Sequence, residues 1–401
     1  GRAGYAGATG LAIMTSEHVE TKDYEALDLS ALCNARGAEL ARDQGFPRGR
    51  RAYHGLPFLI GPEAGDGNDV IVLGGGASGG VTIPVGRAAR SVVVAHRLLE
   101  SRIRQGDPVG RPVADYSFTY ADGSEVVAAV RERLEIAVVP VDWGQWPILA
   151  APDEQDGMQE RWQGRWGGSG YRQTEATQGG ARAFYLFAWE NPHPARPLAA
   201  LVIRPRGPRF LVGGVTLGHA AEPPLRRTAK REVKIELPRA EDAAKPFALE
   251  VRVDRGVAGY PHPLPAAGAD AFLADPMAGW GEEQNGAASP AWVEIAASPS
   301  ATVTVKQDGE TLGTARWGEL EERGRVEPTD RLRLILVDTG RNWVKTTVRD
   351  DATGKPVPCR VHFRSAQGVP FQPHGHHTYV NSNLDTWHVD IGGDLRLGQA
   401  T

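Results

Sequence analysis

The stretch Tyr116-Ser117-Phe118-Thr119-Tyr120-Ala121-Asp122-Gly123-Ser124, continued by Glu125 to Val130, decides the fold class of this chain. Its first part predicts a β-strand that runs into an Asp-Gly turn, and the residues after the turn predict the returning partner strand. Asp-Gly is a favoured pair in short hairpin turns because glycine adopts a positive φ without a steric cost. The stretch therefore predicts an antiparallel hairpin.

Short strands of the same kind are predicted on both sides of this hairpin. Their apolar, β-branched-rich runs are bounded by turn residues: Val70–Leu73, Val81–Val85, Ser91–Ala95, Ala183–Glu190, Leu198–Arg204 and Phe210–Leu217. The chain has 49 Gly and 29 Pro, which favours many turns over long helices. Many short strands without alternating helices predict an all-β chain of antiparallel sandwiches, with a jelly-roll-like arrangement at the start.

The length of 401 residues predicts more than one domain. Residues 1–22 are rich in Gly and Ala and then polar, which is typical of a flexible tail, and 23–230 form the predicted jelly-roll-like sandwich. A second sandwich of immunoglobulin-like character is predicted over 231–341, with a long loop at 256–290, because polar and apolar residues alternate in its strands. Residues 342–401 predict a third sandwich that is incomplete, since a strand-like pattern is still running at the end.

Composition and charge exclude several classes of partner. The net charge is -4, from 45 Lys and Arg against 49 Asp and Glu, so nothing favours nucleic acid or an anionic membrane. No apolar run approaches the length of a membrane span, and no signal peptide is visible, so we expect a soluble chain in an undecided compartment. Two cysteines, Cys33 and Cys359, are too few for a disulfide scaffold.

No common catalytic or nucleotide-binding motif stands in the sequence context that its chemistry requires. The Gly-rich run 74–80 lacks the Lys-Ser/Thr of a phosphate-binding loop and is followed by a predicted strand, so it predicts a hairpin loop. No His-Glu-x-x-His motif is present, and Gly-x-Ser-x-Gly occurs once, at Gly76-Ala77-Ser78-Gly79-Gly80, in this same run, which a predicted strand follows instead of the helix that such a nucleophile turn requires. We therefore assign no catalytic residue.

Aromatic residues between Trp143 and Trp189 are candidates for binding sugar. Exposed Trp faces among polar and Gly residues can stack on a sugar ring, and Trp162, Trp166 and Tyr171 have that setting. The alternative is that they pack under a long excursion between strands, which burial tendencies favour by roughly two to one.

Histidines near the end of the chain are the candidates for a metal site. His374, His376 and His377 lie within four residues, and His388 follows; imidazole is the commonest side-chain ligand of zinc and other divalent metals. In an extended segment, residues two apart project to the same face, so His374 and His376 form the natural pair. The neighbouring Pro373 and Gly375 also fit a loop whose histidines are solvated, or a surface that contacts a further domain.

Part of the sequence resembles a known family. The segment from Gly354-Lys355-Pro356-Val357-Pro358-Cys359-Arg360-Val361-His362-Phe363, through the histidine cluster, to Gly392-Gly393-Asp394-Leu395-Arg396-Leu397-Gly398-Gln399 resembles the region that precedes the catalytic domain in CehA/McbA-type metallohydrolases of the PHP phosphoesterase superfamily. Its Gly-Lys-Pro-Val-Pro opening is similar to carboxypeptidase regulatory-like modules. Leu27–Asn34, Gly55–Phe58 and Tyr120–Gly123 are similar to jelly-roll modules of the carbohydrate-binding kind.

This resemblance implies that the metal-binding catalytic domain, which carries its own His-x-His ligands, lies in a downstream domain or partner chain. The histidine cluster of this chain does not match those ligands position by position. We therefore expect a non-catalytic accessory portion of a larger metal-dependent hydrolase, with carbohydrate as a further ligand. Two alternatives stay open: a self-sufficient metal-dependent hydrolase that uses His374, His376 and His377, and a pure carbohydrate-binding module.

Overall fold

The structure is a computed structural model. It describes residues 22–41, 43, 45–65, 67–76, 79–140, 147–154, 180–225, 231–259, 261, 274, 287–337 and 347–357, together with the backbone of 157–158, 176–177, 262–263, 345–346, 363–364, 370–371 and 395–396.

Strands are the main regular structure of the described chain, with 49% strand against 9% helix. The strands of the first half are β1 (Tyr24–Ala26), β2 (Gly49–Tyr53), β3 (Leu56–Ile60), β4 (Ile71–Leu73), β5 (Val81–Ala88), β6 (Ser91–Leu98), β7 (Pro112–Tyr120), β8 (Glu125–Arg131), β9 (Ala150–Pro152), β10 (Gly157–Met158), β11 (Ala176–Thr177), β12 (Tyr185–Glu190), β13 (Pro197–Pro205) and β14 (Phe210–Gly218). Those of the second half are β15 (Arg231–Glu236), β16 (Leu249–Val253), β17 (Gly256–Ala258), β18 (His262–Pro263), β19 (Ala291–Ala297), β20 (Thr302–Gln307), β21 (Glu310–Arg316), β22 (Arg325–Thr329), β23 (Leu332–Leu336), β24 (Lys345–Thr346), β25 (Phe363–Arg364), β26 (Pro370–Phe371) and β27 (Leu395–Arg396). Among the described residues, short α-helices accompany them at α1 (Gly37–Ala41), α2 (Ala240–Ala243) and α3 (Trp317–Arg323).

The chain divides into two compact units, the first of Gly1–Ala150 with Ala183–His219 and the second of Ala151–Arg182 with Ala220–Thr401. In the first unit, one sheet has the order β1-β14-β6-β12, with β4 also paired to β14, and the other has the order β5-β13-β7-β8. Every pairing among these strands is antiparallel. Buried residues of both sheets, such as Val94 of β6 and Phe118 of β7, join one hydrophobic core, so the two sheets form a sandwich.

The hairpin predicted at the centre of this unit is confirmed. β7 and β8 pair antiparallel, with Ser117 opposite Val127. In the turn, the Asp122 carboxylate accepts the Ser124 backbone N–H at 3.0 Å, and Gly123 has a φ of 85°. Tyr116, Phe118 and Tyr120 point into the core and are at most 2% exposed. This fits a strand, in which every second side chain points to the same face.

A third layer covers the outer face of the β1-β14-β6-β12 sheet. The β2–β3 hairpin pairs only with itself and buries Leu56, Phe58 and Ile60. As a result every residue of β6 and β14 is buried, although both strands are antiparallel. Gly214 of β14 permits this close approach, because a Cβ there would lie 3.1 Å from the Ile60 side chain and 3.2 Å from the Phe58 ring.

The second unit contains another antiparallel sandwich. One sheet has the order β17-β19-β15-β23-β22, with β18 also on β19, and the other has the order β16-β20-β21. Val233 of β15, Val305 of β20 and Trp317 of α3 share its core. Short two-stranded ladders join β10 to β11, β24 to β27 and β25 to β26.

The all-β class of multiple antiparallel sandwiches is confirmed. One local prediction was wrong: the Gly-rich run 74–80 does not close a hairpin, because β4 before it pairs with β14 in one sheet and β5 after it pairs with β13 in the other. The domain boundaries drawn from the sequence stay a prediction. Within the described ranges, the helices are all too short or too polar to cross a bilayer.

Candidate functional site

The described chain has a groove on the first unit, at the outer side of the β2–β3 hairpin. Its volume is about 450 Å³. The walls come from the end of β1 and the short 3-10 turn Ser30–Leu32, from the hairpin itself, and from the loop after β3. The residues that line the groove are Ala26, Asp28, Ser30, Arg50, Leu59, Pro62 and Glu63.

Strand alternation in the hairpin decides which side chains reach the groove. Leu56, Phe58 and Ile60 point toward the sheet and are buried, so Leu59 between them points the other way and is only half-buried. Arg50 lies opposite Leu59 in the hairpin register and shares its face. The groove therefore receives one apolar and one cationic side chain from a single cross-strand pair.

A charged pair lies along one wall of the groove. The Arg50 Nε donates to a Glu63 carboxylate oxygen at 2.5 Å, and the two side chains are 49% and 56% exposed. An exposed pair of this kind contributes little to folding, about 0–1 kcal/mol. Both groups consequently remain available for exchange with the polar atoms of a ligand.

A second carboxylate, Asp28, lines the groove from the segment between β1 and the short 3-10 turn. The Asp28 carboxylate accepts the Ser30 backbone N–H at 2.9 Å. Hydrogen bonding by the Ser30 side chain, and then by its backbone N–H, holds the pKa of Asp28 below its usual value. The carboxylate is therefore ionised and exposed at neutral pH.

The lining offers chemistry that suits a polar molecule with some apolar surface. Two carboxylates and the Ser30 hydroxyl can accept hydrogen bonds, and the guanidinium and the hydroxyl can donate them. Ala26, Leu59 and Pro62 give an apolar floor. Small-molecule sites commonly have volumes of about 300–1,000 Å³, and this groove falls in that range.

The site residues predicted from the sequence cannot be placed in this geometry. Among the described residues, no three His, Cys, Asp or Glu side chains converge in a way that could hold a metal ion. The predicted carbohydrate and metal residues all lie outside the described residues: Trp162, Trp166, Tyr171, His374, His376, His377 and His388.

A buried histidine, His96, belongs to the core of the first unit and not to a site. It has no exposed surface, its Nδ1 lies 2.8 Å from the Tyr116 hydroxyl, and its Nε2 lies 2.9 Å from the Glu135 carbonyl oxygen. A carbonyl oxygen only accepts, so Nε2 carries the proton and Nδ1 accepts from Tyr116. Both ring nitrogens are thus satisfied within the protein, which indicates a structural role.

The groove joins two segments that the sequence had marked for other reasons. Asp28 and Ser30 belong to Leu27–Asn34, and Leu59 follows Gly55–Phe58, two stretches from which the sequence predicted a jelly-roll module. Arg50 and Glu63 were missed, because neither lies in a motif and only the hairpin fold brings them to the groove. No protein-family description fits this chain, and neither the curated proteins nor the solved structures include one with significant similarity to it.

Proposed function

We propose that this chain is the non-catalytic accessory β-sandwich portion of a larger metal-dependent hydrolase and that it binds carbohydrate. The single observation that supports carbohydrate binding is the groove, in which Asp28, Arg50 and Glu63 surround an apolar floor. The hydrolase assignment is supported by the resemblance of residues 354–399 to the region before the catalytic domain of PHP-type enzymes.

The physical argument rests on the two kinds of surface that a sugar presents. Its hydroxyl groups both donate and accept, so they match carboxylates and a guanidinium, which form stronger hydrogen bonds than neutral groups do. The C–H face of its ring is apolar and suits Leu59 and Pro62. The groove volume of about 450 Å³ is that of a small-molecule site, and one or two sugar rings fit it.

The direct test is a binding titration of the 401-residue chain with a panel of disaccharides and oligosaccharides. We expect Arg50→Ala to weaken binding by about tenfold, since a hydrogen bond to a charged group contributes roughly 1.5–3 kcal/mol. The matched control is Arg51→Ala, because Arg51 is the next residue of the same strand and is exposed, yet does not line the groove. Equal losses in the two variants, or no saccharide binding by the native chain, would contradict the proposal.

The accessory role is tested by assays of metal content and turnover. The proposal expects no phosphodiesterase or phosphatase turnover from the purified chain. Turnover, with stoichiometric zinc that is lost in a His374→Ala/His376→Ala double variant, would instead identify a self-sufficient hydrolase. Glycan binding that survives Arg50→Ala but is lost in Trp162→Ala or Trp166→Ala would move the sugar site to the aromatic segment.

A further inference from the structure

The side chains that line the groove carry a net negative charge. Its lining contains two carboxylates, Asp28 and Glu63, and one guanidinium, Arg50, so the formal sum is one negative charge. Arg50 is bound to Glu63, with Nε and Oε1 2.5 Å apart. Asp28 has no such ion pair among the described residues; its hydrogen-bond partner is Ser30.

Asp28 keeps acceptor capacity after its contact with Ser30. An ionised carboxylate has about four lone-pair sites on its two oxygens, and the backbone N–H and the side chain of Ser30 use about two of them. The side chain is exposed on the groove wall, so a ligand can reach the remaining positions. A group with several donors and a positive charge makes the best use of such an acceptor.

The groove disfavours a negatively charged ligand. Glu63 already neutralises the guanidinium of Arg50, and such a ligand would lie in the same small groove as two carboxylates. Like charges at such short range repel each other, and partial exclusion of water by the walls strengthens this repulsion.

We propose that the groove selects amino sugars, with Asp28 as the acceptor of the sugar ammonium group, over neutral sugars and over acidic sugars. This inference rests on the carbohydrate binding proposed above and adds the class of sugar. Ser30 is a positioning residue in this arrangement, because its hydrogen bond fixes the direction of the Asp28 carboxylate.

The test compares four disaccharides by calorimetric titration of the full chain: a glucose disaccharide, the matching glucosamine disaccharide, its N-acetylated form, and one that carries a glucuronate. At about pH 6 the sugar amines are protonated, because free amines of this kind titrate near pH 8. We expect the glucosamine disaccharide to bind about 2- to 5-fold more tightly than the glucose and N-acetylated forms, the size of one partly exposed ion pair. The glucuronate form is expected to bind most weakly.

The variant Asp28→Asn removes the charge and keeps an oxygen that accepts the Ser30 N–H. We expect it to abolish the preference for the amino sugar while the neutral disaccharide still binds. The control Glu125→Gln removes one negative charge from β8, in the other sheet of the same unit, and is expected to keep the preference.

The outcomes separate the two proposals. If the neutral disaccharide binds and the amino form binds no better, the charge selection is wrong and the carbohydrate function stands. If Asp28→Asn keeps the preference, the assignment of Asp28 is wrong. If none of the four disaccharides binds, both proposals are wrong.

Discussion

The two sandwiches of this chain place their titratable groups in opposite ways. The first encloses a histidine, His96, in the middle of its core, where its ring lies over Phe187 in a stacked arrangement. The second fills its core with aliphatic residues and Trp317 and has the Arg331–Asp242 ion pair at its rim, with the Asp242 carboxylate buried and Arg331 partly exposed. The difference teaches that two sandwiches of the same class can respond to acid in different ways.

In the first sandwich, burial governs the titration. Removal of the His96 imidazole from water lowers its pKa to about 4, against a usual value of 6.5. Both of its ring nitrogens already have partners in the neutral form, and a second proton would turn Nδ1 into a donor, so the Tyr116 hydroxyl proton would lose its acceptor. Protonation therefore opposes folding.

In the second sandwich, pairing governs the titration. Arg331 donates to both oxygens of Asp242, at 2.8 and 2.9 Å, and Lys245 lies 3.2 Å away. The hydrogen bonds from Arg331 are the main cause that lowers the pKa of Asp242 to about 2, against desolvation, which acts in the opposite direction. The carboxylate stays ionised far below neutral pH.

The largest expected effects come from one large buried side chain in each unit. Phe58→Ala removes a ring that is 1% exposed between the β2–β3 hairpin and the sheet, and Trp317→Ala removes a ring that is 0% exposed in the second core. Each should lower the free energy of unfolding by about 3–5 kcal/mol, because a cavity is left behind. Chemical denaturation measures the loss, and hydrogen exchange read by mass spectrometry locates it.

We expect Phe58→Ala to speed exchange first in β6 and β14, and Trp317→Ala first in the strands of the second unit. Leu59→Ala is the control for Phe58→Ala, because Leu59 is its neighbour in β3 but faces the groove. An equal loss of stability in Phe58→Ala and Leu59→Ala would contradict the claim that the β2–β3 hairpin packs on the sheet through Phe58.

The second prediction concerns the acid sensitivity of the first unit. Because the folded pKa of His96 is depressed, the unfolded chain binds more protons between about pH 6.5 and pH 4, and stability falls as the pH falls through this window. A shift of this size corresponds to a loss of roughly 3 kcal/mol by pH 4. Denaturation of the chain across this range measures the slope.

His96→Gln should flatten that slope, because glutamine does not titrate. His219→Gln, which replaces a partly exposed histidine of the same unit, should leave it unchanged. A steep slope that persists in His96→Gln would assign the acid sensitivity to other groups.

The third prediction concerns the rim of the second unit. Asp242→Asn should lower the free energy of unfolding at neutral pH by about 1–2 kcal/mol, since charged hydrogen bonds to Arg331 are lost while that guanidinium stays partly exposed. The sign of the pH effect is fixed by the depressed pKa: the stabilisation is present above pH 3.8 and is lost as the pH falls toward 2. The difference in free energy of unfolding between the native chain and Asp242→Asn should be the same at pH 7 and pH 5. A change over this range would contradict the assignment to Asp242.

The smallest effect is expected on the outer surface of the same unit. Glu327 accepts from Arg325 and Arg333 across β22 and β23, and the side chains are 48%, 52% and 28% exposed. Glu327→Gln should leave the free energy of unfolding close to that of the native chain, because solvent screens exposed pairs. If Glu327→Gln lost as much stability as Asp242→Asn, solvent exposure would not explain the different contributions of the two ion-pair networks.

The strand pattern was predictable wherever local signals agreed. The hairpin around Asp122-Gly123 and the strands at Ser91, Leu198 and Phe210 all appear close to their predicted places, since β-branched and aromatic runs between turn residues carry their own strand preference. The β2–β3 hairpin was missed, because Arg50 and Arg51 interrupt its apolar pattern. Helix α3 was also missed, since its seven residues are too few to show a helical period.

The groove could not be predicted from sequence spacing. Asp28, Arg50 and Glu63 are separated by 13 residues or more. Their spacing follows no known motif, so the sequence does not show that they lie together. The sequence predicted a module over Leu27–Asn34 and Gly55–Phe58 by resemblance. The binding sites that it predicted, however, were in the aromatic and histidine segments.

The amino-acid sequence by itself determined the fold class, the hairpin at Asp122-Gly123 and the position of most strands, because these follow from interactions between residues near one another in the chain. The tertiary structure alone decided that the β2–β3 hairpin covers β6 and β14, that His96 lies neutral in a core, and that one cation and two carboxylates line a groove. The physical reason is that burial and charge pairing depend on distances in space, which the chain reaches only when distant segments pack together.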